Sequence, residues 1–335
     1  MEYRNLGRSG VKVSPICLGT MPFGGRADEA TAKRIIAHAR EAGINFIDTA
    51  DVYVNGKSEE VVGRAIGNQR SWWVLATKLA NKMGDGPNQI GLSRGWIMQE
   101  IDSSLKRLAT DYVDILYLHK EDHSTPLEET VAAMGDLIRR GKIRYFGVSN
   151  HRGWRVAEIV RICDRLGVDR PVVSQPYYNA MNRAAEVEHI PACAHYGLGI
   201  VPYSPAARGV LSGKYSAGGP MPEDSRGSTK DVRFMQTEWR KESVAAAEKI
   251  VAHAKKRGMT GVQFAMLWVM NNRDVTAPIA GPRTMEQWTE YLGALDHKFT
   301  AEDEALIDGM VAPGHPSTPG YNDPAYPLEG RKTWV

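Results

Sequence analysis

Eight short, mostly apolar runs recur along the 335 residues, at Ile16–Gly19, Phe46–Asp48, Val74–Lys78, Ile115–His119, Tyr145–Ser149, Val172–Gln175, Ile200–Tyr203 and Val275–Ala280. Each has the unbroken apolar character of a strand buried on both faces. Helix-period segments lie between them: Ile97, Ile101, Leu105 and Leu108 recur at spacings of three and four, as do Leu127, Val131, Met134 and Ile138. A strand–helix alternation repeated eight times predicts a parallel sheet, and eight such units close most naturally into a (β/α)8 TIM barrel. The alternative is a doubly wound open sheet. No G-x-G-x-x-G supports it, because the glycine clusters at 19–25 and 197–199 have the wrong spacing. No linker of biased composition divides the chain, so 1–335 reads as a single domain.

Before the first run, Tyr3–Leu6 and Val11–Val13 flank Arg8-Ser9-Gly10 and predict an N-terminal β-hairpin with Gly10 in its turn. Thr125-Pro126 followed by Glu128 predicts a helix start with Thr125 as N-cap, proline at the first helical position and an acid closing a capping box. Two stretches break the rhythm: a long loop from Ser204 to about Trp239 after the seventh strand, and a C-terminal tail from Pro313 carrying Tyr321, Tyr326 and Trp334. The tail aromatics either pin the tail to the barrel or line a pocket.

Hydrophobic residues make up 42% and charged residues 24%, which excludes a disordered or fibrous chain. Lys plus Arg number 42 against 39 Asp plus Glu, and a net charge of +3 is too weak a bias to predict a nucleic-acid partner. The densest basic run, Lys255-Lys256-Arg257 before Gly258, reads as the last turn of a solvated helix. Three scattered cysteines without a C-x-x-C pair encode neither a disulfide framework nor a thiolate metal site, so a reducing cytoplasm is expected. Without an apolar signal core at the N-terminus or a run long enough to span a bilayer, no membrane role follows.

Barrel chemistry gathers at the C-terminal ends of the strands. Here those ends deliver Asp48 and then Tyr53, Lys78, His119, Ser149-Asn150, Gln175 and Tyr203-Ser204. Asp48, Tyr53, Lys78 and His119 can act as one acid–base unit. An ammonium beside a phenol stabilises the phenolate and lowers a pKa that otherwise lies near ~10. A carboxylate keeps that ammonium charged, and a histidine can hydrogen-bond a substrate oxygen. The chemistry such a set suits is proton donation to a carbonyl oxygen as it becomes an alcohol. His119 and His123 also have an i, i+4 metal-ligand spacing, but a strand end at His119 breaks the helix such a site needs, so no metal is expected.

The runs Gly43-Ile44-Asn45-Phe46-Ile47-Asp48-Thr49-Ala50-Asp51-Val52-Tyr53, Ala76-Thr77-Lys78, Asp111 to Ile115 with His119, Gly141 to Asn150, and Tyr203-Ser204-Pro205 resemble the signature of the aldo-keto reductases. The resemblance covers essentially the whole chain in order. It implies a barrel that binds NADPH without a Rossmann domain and reduces aldehydes or ketones, with Tyr53 as general acid, Lys78 lowering its pKa, Asp48 pairing with Lys78 and His119 orienting the carbonyl. It implies that Gly19 and Thr20 lie at the cofactor, that Ser149, Asn150 and Gln175 hold the nicotinamide carboxamide, and that Tyr203 stacks on its ring. The segment from Ser204 and Pro205 through Arg208, Leu211 and Gly213 to Lys214 would wrap the pyrophosphate. Gly281, Arg283 and Gln287 would take the adenosine end, with Arg283 at the 2′-phosphate that marks NADP.

Gln287 also reads as a cap partner of Thr284, and Tyr291 stands where many relatives carry Asn. The 204–214 segment is a near miss for a Walker loop, one residue short and with Tyr215 in place of Ser or Thr. Phe23, Tyr53, His119, Lys120 and the 79–87 loop would wall the substrate pocket, Lys120 favouring a polar or anionic substrate. The resemblance also leaves open an NADPH-binding regulatory subunit like the potassium-channel beta subunits, which retain the same four residues. A third possibility is a phosphate-binding barrel lyase or isomerase.

Overall fold

The structure, a computed structural model, describes residues 1–223 and 225–328. The chain divides into two compact units: Met1–Tyr177, Glu188–Tyr203 and Met270–Leu292 in the first, and Tyr178–Val187, Ser204–Val269 and Gly293–Val335 in the second.

The first unit opens with an antiparallel hairpin, β1 (Arg4–Asn5) and β2 (Lys12–Val13). Eight parallel strands follow: β3 (Cys17–Gly19), β4 (Phe46–Asp48), β5 (Val74–Leu79), β6 (Val113–Leu118), β7 (Ile143–Ser149), β8 (Val173–Gln175), β9 (Gly199–Ile200) and β10 (Ile279–Ala280). They lie side by side in the order β10-β3-β4-β5-β6-β7-β8-β9. The ends of this sheet also meet. Ile200 pairs in parallel with Val275, and the Thr276 and Ile279 amides donate to the Ile200 and Pro202 carbonyls at 2.8 and 2.9 Å. This is the (β/α)8 barrel that the alternation predicts. Six helices connect β3 through β9 in turn: α1 (Glu29–Glu41), α2 (Lys57–Ile66), α3 (Arg94–Leu108), α4 (Leu127–Arg139), α5 (Gly153–Leu166) and α6 (His189–Tyr196). The Ile97, Ile101, Leu105 and Leu108 stripe of α3 is buried, as its spacing requires.

The two-residue period of a strand decides what enters the barrel. Phe46, Ala76, Ile115, Tyr117 and Val173 form one buried cluster with Leu6 and Val13 of the hairpin. Two residues beyond Phe46, Ala76 and Val173, on the same faces, come Asp48, Lys78 and Gln175. The same inward rows are thus apolar within and polar at the C-terminal rim.

Gly10 lies in the hairpin turn as expected; the positive φ of that turn falls at Gly7 (+56°), where a Cβ would also lie 2.5 Å from the Gly197 carbonyl oxygen and the Gly199 amide. One expectation is corrected. At the start of α4, Pro126 rather than Thr125 is the N-cap, and no side chain caps it. The Thr125 hydroxyl instead donates to Asp122 at 2.7 Å, and Glu128 pairs with Arg165.

The second unit carries a short 3-10 turn at Ala207–Ser212, then α7 (Val232–Thr237), α8 (Lys241–Lys256), most of α9 (Gly261–Asn271) and, after α10 (Met285–Leu292) of the first unit, α11 (Ala301–Asp308). Lys255 and Lys256 end α8 as expected, but Arg257 does more than solvate: it pairs with Asp303. Arg240 stacks on Tyr321 at 3.9 Å and Arg233 pairs with Asp323, so the tail is pinned to α7 and the segment after it. Trp334 lies outside the described residues. Among those described, no helix is long and apolar enough to cross a membrane.

Close helix packing yields a stability prediction. A Cβ on Gly63 of α2 would lie 2.4 Å from the carbonyl oxygen that ends α3 at Leu108, and backbone cannot give way there. Gly63→Ala is expected to lower stability by about 1–3 kcal/mol in denaturant titrations, despite alanine's better helix propensity.

Candidate active site

Strand β5 delivers Lys78 into the barrel with its ammonium fully buried. A buried ammonium carries three donors and must satisfy them. Here they go to the Asp48 carboxylate, to the Thr49 carbonyl at 2.7 Å and to the Tyr53 hydroxyl oxygen at 3.0 Å. The Tyr53 loop reaches this position because it continues the β4–β5 ladder. The Thr49 amide donates to the Ala76 carbonyl at 2.9 Å and the Asp51 amide to the Lys78 carbonyl at 3.1 Å, which turns Tyr53 back over β5. The ammonium also lies 4.6 Å from the Tyr53 ring centroid. The other oxygen of Asp48 accepts from the Gln175 amide at 3.0 Å.

Charge and burial compete at both partners. Burial lowers the Lys78 pKa, but the Asp48 charge and the Tyr53 hydroxyl outweigh it and leave the value raised. Burial raises that of Asp48 against the pull of Lys78 and Gln175. Since the ammonium is the donor, the phenolic proton of Tyr53 is not spent in their bond.

His119 follows β6, its amide bonded to the Leu79 carbonyl at 2.9 Å. Its ring meets that of Tyr53 edge-on at 5.9 Å. Burial, then the Lys78 and Lys120 charges, push its pKa well below the usual imidazole range, so the ring is neutral at physiological pH. The structure thus brings Asp48, Tyr53, Lys78 and His119 together at one rim. His123 stands apart in the loop before α4, 3.3 Å from Glu121, and no helix joins it to His119.

The neighbouring rim residues bond one another. The Asn150 amide nitrogen donates to the His119 carbonyl at 2.8 Å and its oxygen accepts from the Tyr203 hydroxyl at 2.8 Å. Ser149 donates to the Gln175 carbonyl, and Tyr203 stacks on Tyr177 at 5.5 Å. Gly19 and Thr20 have structural duties. A Cβ on Gly19 would strike Ile279, and the Thr20 hydroxyl bonds the Asp48 carbonyl and Ser58. Phe23 is fully buried. Lys120 lines a pocket of about 490 Å³ between the 80–93 and 120–125 segments.

Beyond β10, the Gln287 side chain accepts from the Arg283 amide at 2.9 Å while the Thr284 hydroxyl accepts from the Gln287 amide, so Gln287 does act as a cap partner. In the second unit, Ser204, Ala207, Arg208 and Gly209 all have positive φ. Pro205 and Leu211 are buried, Gly213 packs on Val251, and Lys214 folds back over Gly209.

Comparison with known proteins agrees with this arrangement: residues 15–312 match the aldo/keto reductase family. A probable voltage-gated potassium channel subunit beta from Oryza sativa subsp. japonica is 39% identical over 302 residues, covering 88% of this chain and 92% of that protein. An uncharacterized oxidoreductase of Bacillus subtilis is 35% identical, covering 96% and 99%, and the versiconal hemiacetal acetate reductase of Aspergillus parasiticus is 33% identical, covering 93% and 98%. The chain belongs to the aldo/keto reductase family.

In this member of the family, sequence reasoning assigned no role to two sets of residues around the four. Asn81 lies 3.1 Å from the His119 ring through its amide nitrogen. Behind the Tyr53 loop, buried Glu59 accepts from Thr77 at 2.5 Å and Arg107 at 2.6 Å, and Arg107 also pairs with Glu100. Asp51 points into this acidic cluster, with one oxygen on the Val52 amide at 2.6 Å and the other without a partner among the described residues. Burial, reinforced by Glu59 and Glu100, pushes its pKa up to about 8. The only signal in the sequence is the clustering of acids near Tyr53, and the spacing of Glu100 and Arg107 gives no hint of contact.

That value sets a pH dependence. Between an unfolded pKa of about 3.9 and the folded value, the native state holds a proton the unfolded chain has released, so Asp51 makes stability fall as pH rises, by at most ~1.4 kcal/mol per pH unit. Asp51→Asn keeps the neutral form at every pH. Thermal melts are expected to show it gaining stability over wild type at pH 8 relative to pH 5, and parallel curves would contradict the assignment.

Proposed function

We propose that the protein is an NADPH-dependent carbonyl reductase that converts aldehydes or ketones to alcohols. The observation that carries this reading is the Lys78 ammonium, held by Asp48 and the Thr49 carbonyl and donating to the Tyr53 oxygen. A cation so placed favours the phenolate that remains once Tyr53 has given its proton to a carbonyl oxygen. His119, neutral beside Tyr53, hydrogen-bonds the same oxygen and orients it. NADPH when bound supplies the hydride.

The residues present fit that cofactor. Arg283, half-buried and without an ion pair among the described residues, suits a 2′-phosphate. Gly281 leaves open space where a side chain would stand. Taken by itself, the second unit has a positive-φ run at 207–209 with Lys214 beside Gly209, amide and cation groups of the kind that suit a phosphate. The nicotinamide end falls to Ser149, Asn150, Gln175 and Tyr203, whose mutual hydrogen bonds hold them rigid in advance. For the substrate, Lys120 has no acceptor among the described residues, while the neighbouring Asp122 is consumed by Leu92, Ser124 and Thr125, so a substrate carrying a carboxylate is favoured.

A second reading comes from the relative named a potassium channel subunit beta: a cofactor-binding regulatory subunit. Steady-state NADPH oxidation with a panel of neutral and carboxylated aldehydes separates the two, since absence of turnover with every substrate sinks the reductase. Tyr53→Phe is expected to lower kcat about 10²–10⁴-fold with NADPH binding retained by fluorescence titration; an unchanged rate would remove Tyr53 from its role.

A further inference from the structure

We infer that Asn81 is a positioning residue that holds the His119 ring in the neutral tautomer with its proton on Nε2. The inference rests on the reductase reading for its purpose but on geometry for its content. The Asn81 amide nitrogen, which can only donate, lies 3.1 Å from His119 Nδ1. A hydrogen bond there requires a bare Nδ1, which in a neutral ring leaves the proton on Nε2. An imidazolium would set N–H against N–H, and the Nδ1–H tautomer would do the same.

The backbone is bent to make this contact. Ala80, between Leu79 and Asn81, has φ +145°, a conformation costly for any residue with a Cβ. The chain is held there by the Gly91 amide on the Ala80 carbonyl at 2.9 Å, and by the His119 amide on the Leu79 carbonyl, which sets the two segments side by side. The groups around the ring act in the same direction. Lys78 from β5 and Lys120 from the ring's own segment oppose a positive charge, and Tyr53 meets the ring edge-on.

The consequence is a division of labour. A neutral Nε2–H can donate a hydrogen bond to a carbonyl oxygen but is a very weak acid, so proton delivery is left to Tyr53. Without Asn81, the Nδ1–H tautomer presents Nε2 as an acceptor, which repels the oxygen it should bind.

Nitrogen-15 NMR of histidine-labelled protein tests this directly, with His119→Gln to assign the ring. The wild type is expected to show neutral Nε2–H between pH 6 and 8. Asn81→Asp, nearly isosteric and so least disturbing to the fold, should draw the proton to Nδ1. It should also lower kcat by roughly tenfold or more, as loss of an oriented donor does, with the KM for NADPH unchanged. Its residual rate should rise toward acid pH, where double protonation restores Nε2–H. Asn81→Leu should lose the tautomer preference and give a similar drop in kcat. A wild-type ring protonated on Nδ1, or an Asn81→Leu variant that keeps both tautomer and kcat, would overturn the inference. The expected tautomer in a protein that turns over no aldehyde would support the placement of Asn81 while refuting the reductase reading.

Discussion

A charged amine sealed inside a barrel is the constraint around which the rim of this protein is arranged. Desolvating the Lys78 ammonium is expensive, and it is tolerated only because each of its three donors meets an acceptor. Those acceptors come from β4, from the residue after it and from the loop beyond, so meeting the electrostatic need also fixes how the chain leaves β4. The requirement spreads outward. The second oxygen of Asp48 needs its own donor, and Gln175 reaches from β8 to supply it. Removing either member of the Asp48–Lys78 pair would leave a buried charge uncompensated, a loss of a few kcal/mol by the usual measure of such pairs, about 3–5.

Two titratable groups near this charged pair are neutral. Burial, then the Lys78 and Lys120 charges, keep His119 uncharged, and burial with Glu59 and Glu100 keeps Asp51 protonated near neutral pH. Burial is the main cause of both shifts, reinforced by cations at His119 and by carboxylates at Asp51. The phenol between them accepts a hydrogen bond from Lys78 at 3.0 Å.

What was legible in the sequence follows from what repeats. The strands were readable because burial on both faces leaves an apolar run, and Asp48, Lys78, His119 and Gln175 stood out as polar residues that end such runs. The barrel was readable from the count. Contacts that depend on a turn conformation or on partners far apart in the chain were not. Thr125 has every mark of an N-cap, yet Asp122 captures its hydroxyl. Gly7 and Gly10 are equivalent in composition, and only the approach of the 197–199 backbone distinguishes them. Asn81 and the pairing of Glu59 with Arg107 required the register of β5 against β4 and β6, which no local pattern encodes.

Backbone strain links these observations. Several non-glycine residues with positive φ stand just past the delivered side chains: Val54 and Asn55 after Tyr53, Ala80 after Lys78, and Asn150 after Ser149. Each such conformation costs on the order of 1–3 kcal/mol and persists only where the surroundings enforce it. At the first, the turn lets the Ser58 amide close onto the Tyr53 carbonyl; at the second it sends Asn81 to His119; at the third it sets the Asn150 amide between the His119 carbonyl and Tyr203. Straight strand ends would carry the same residue types to the rim and splay them apart. Strand periodicity therefore determines which residues reach the rim, and strained turns determine where they point, so a sequence pattern alone can identify this site but cannot assemble it.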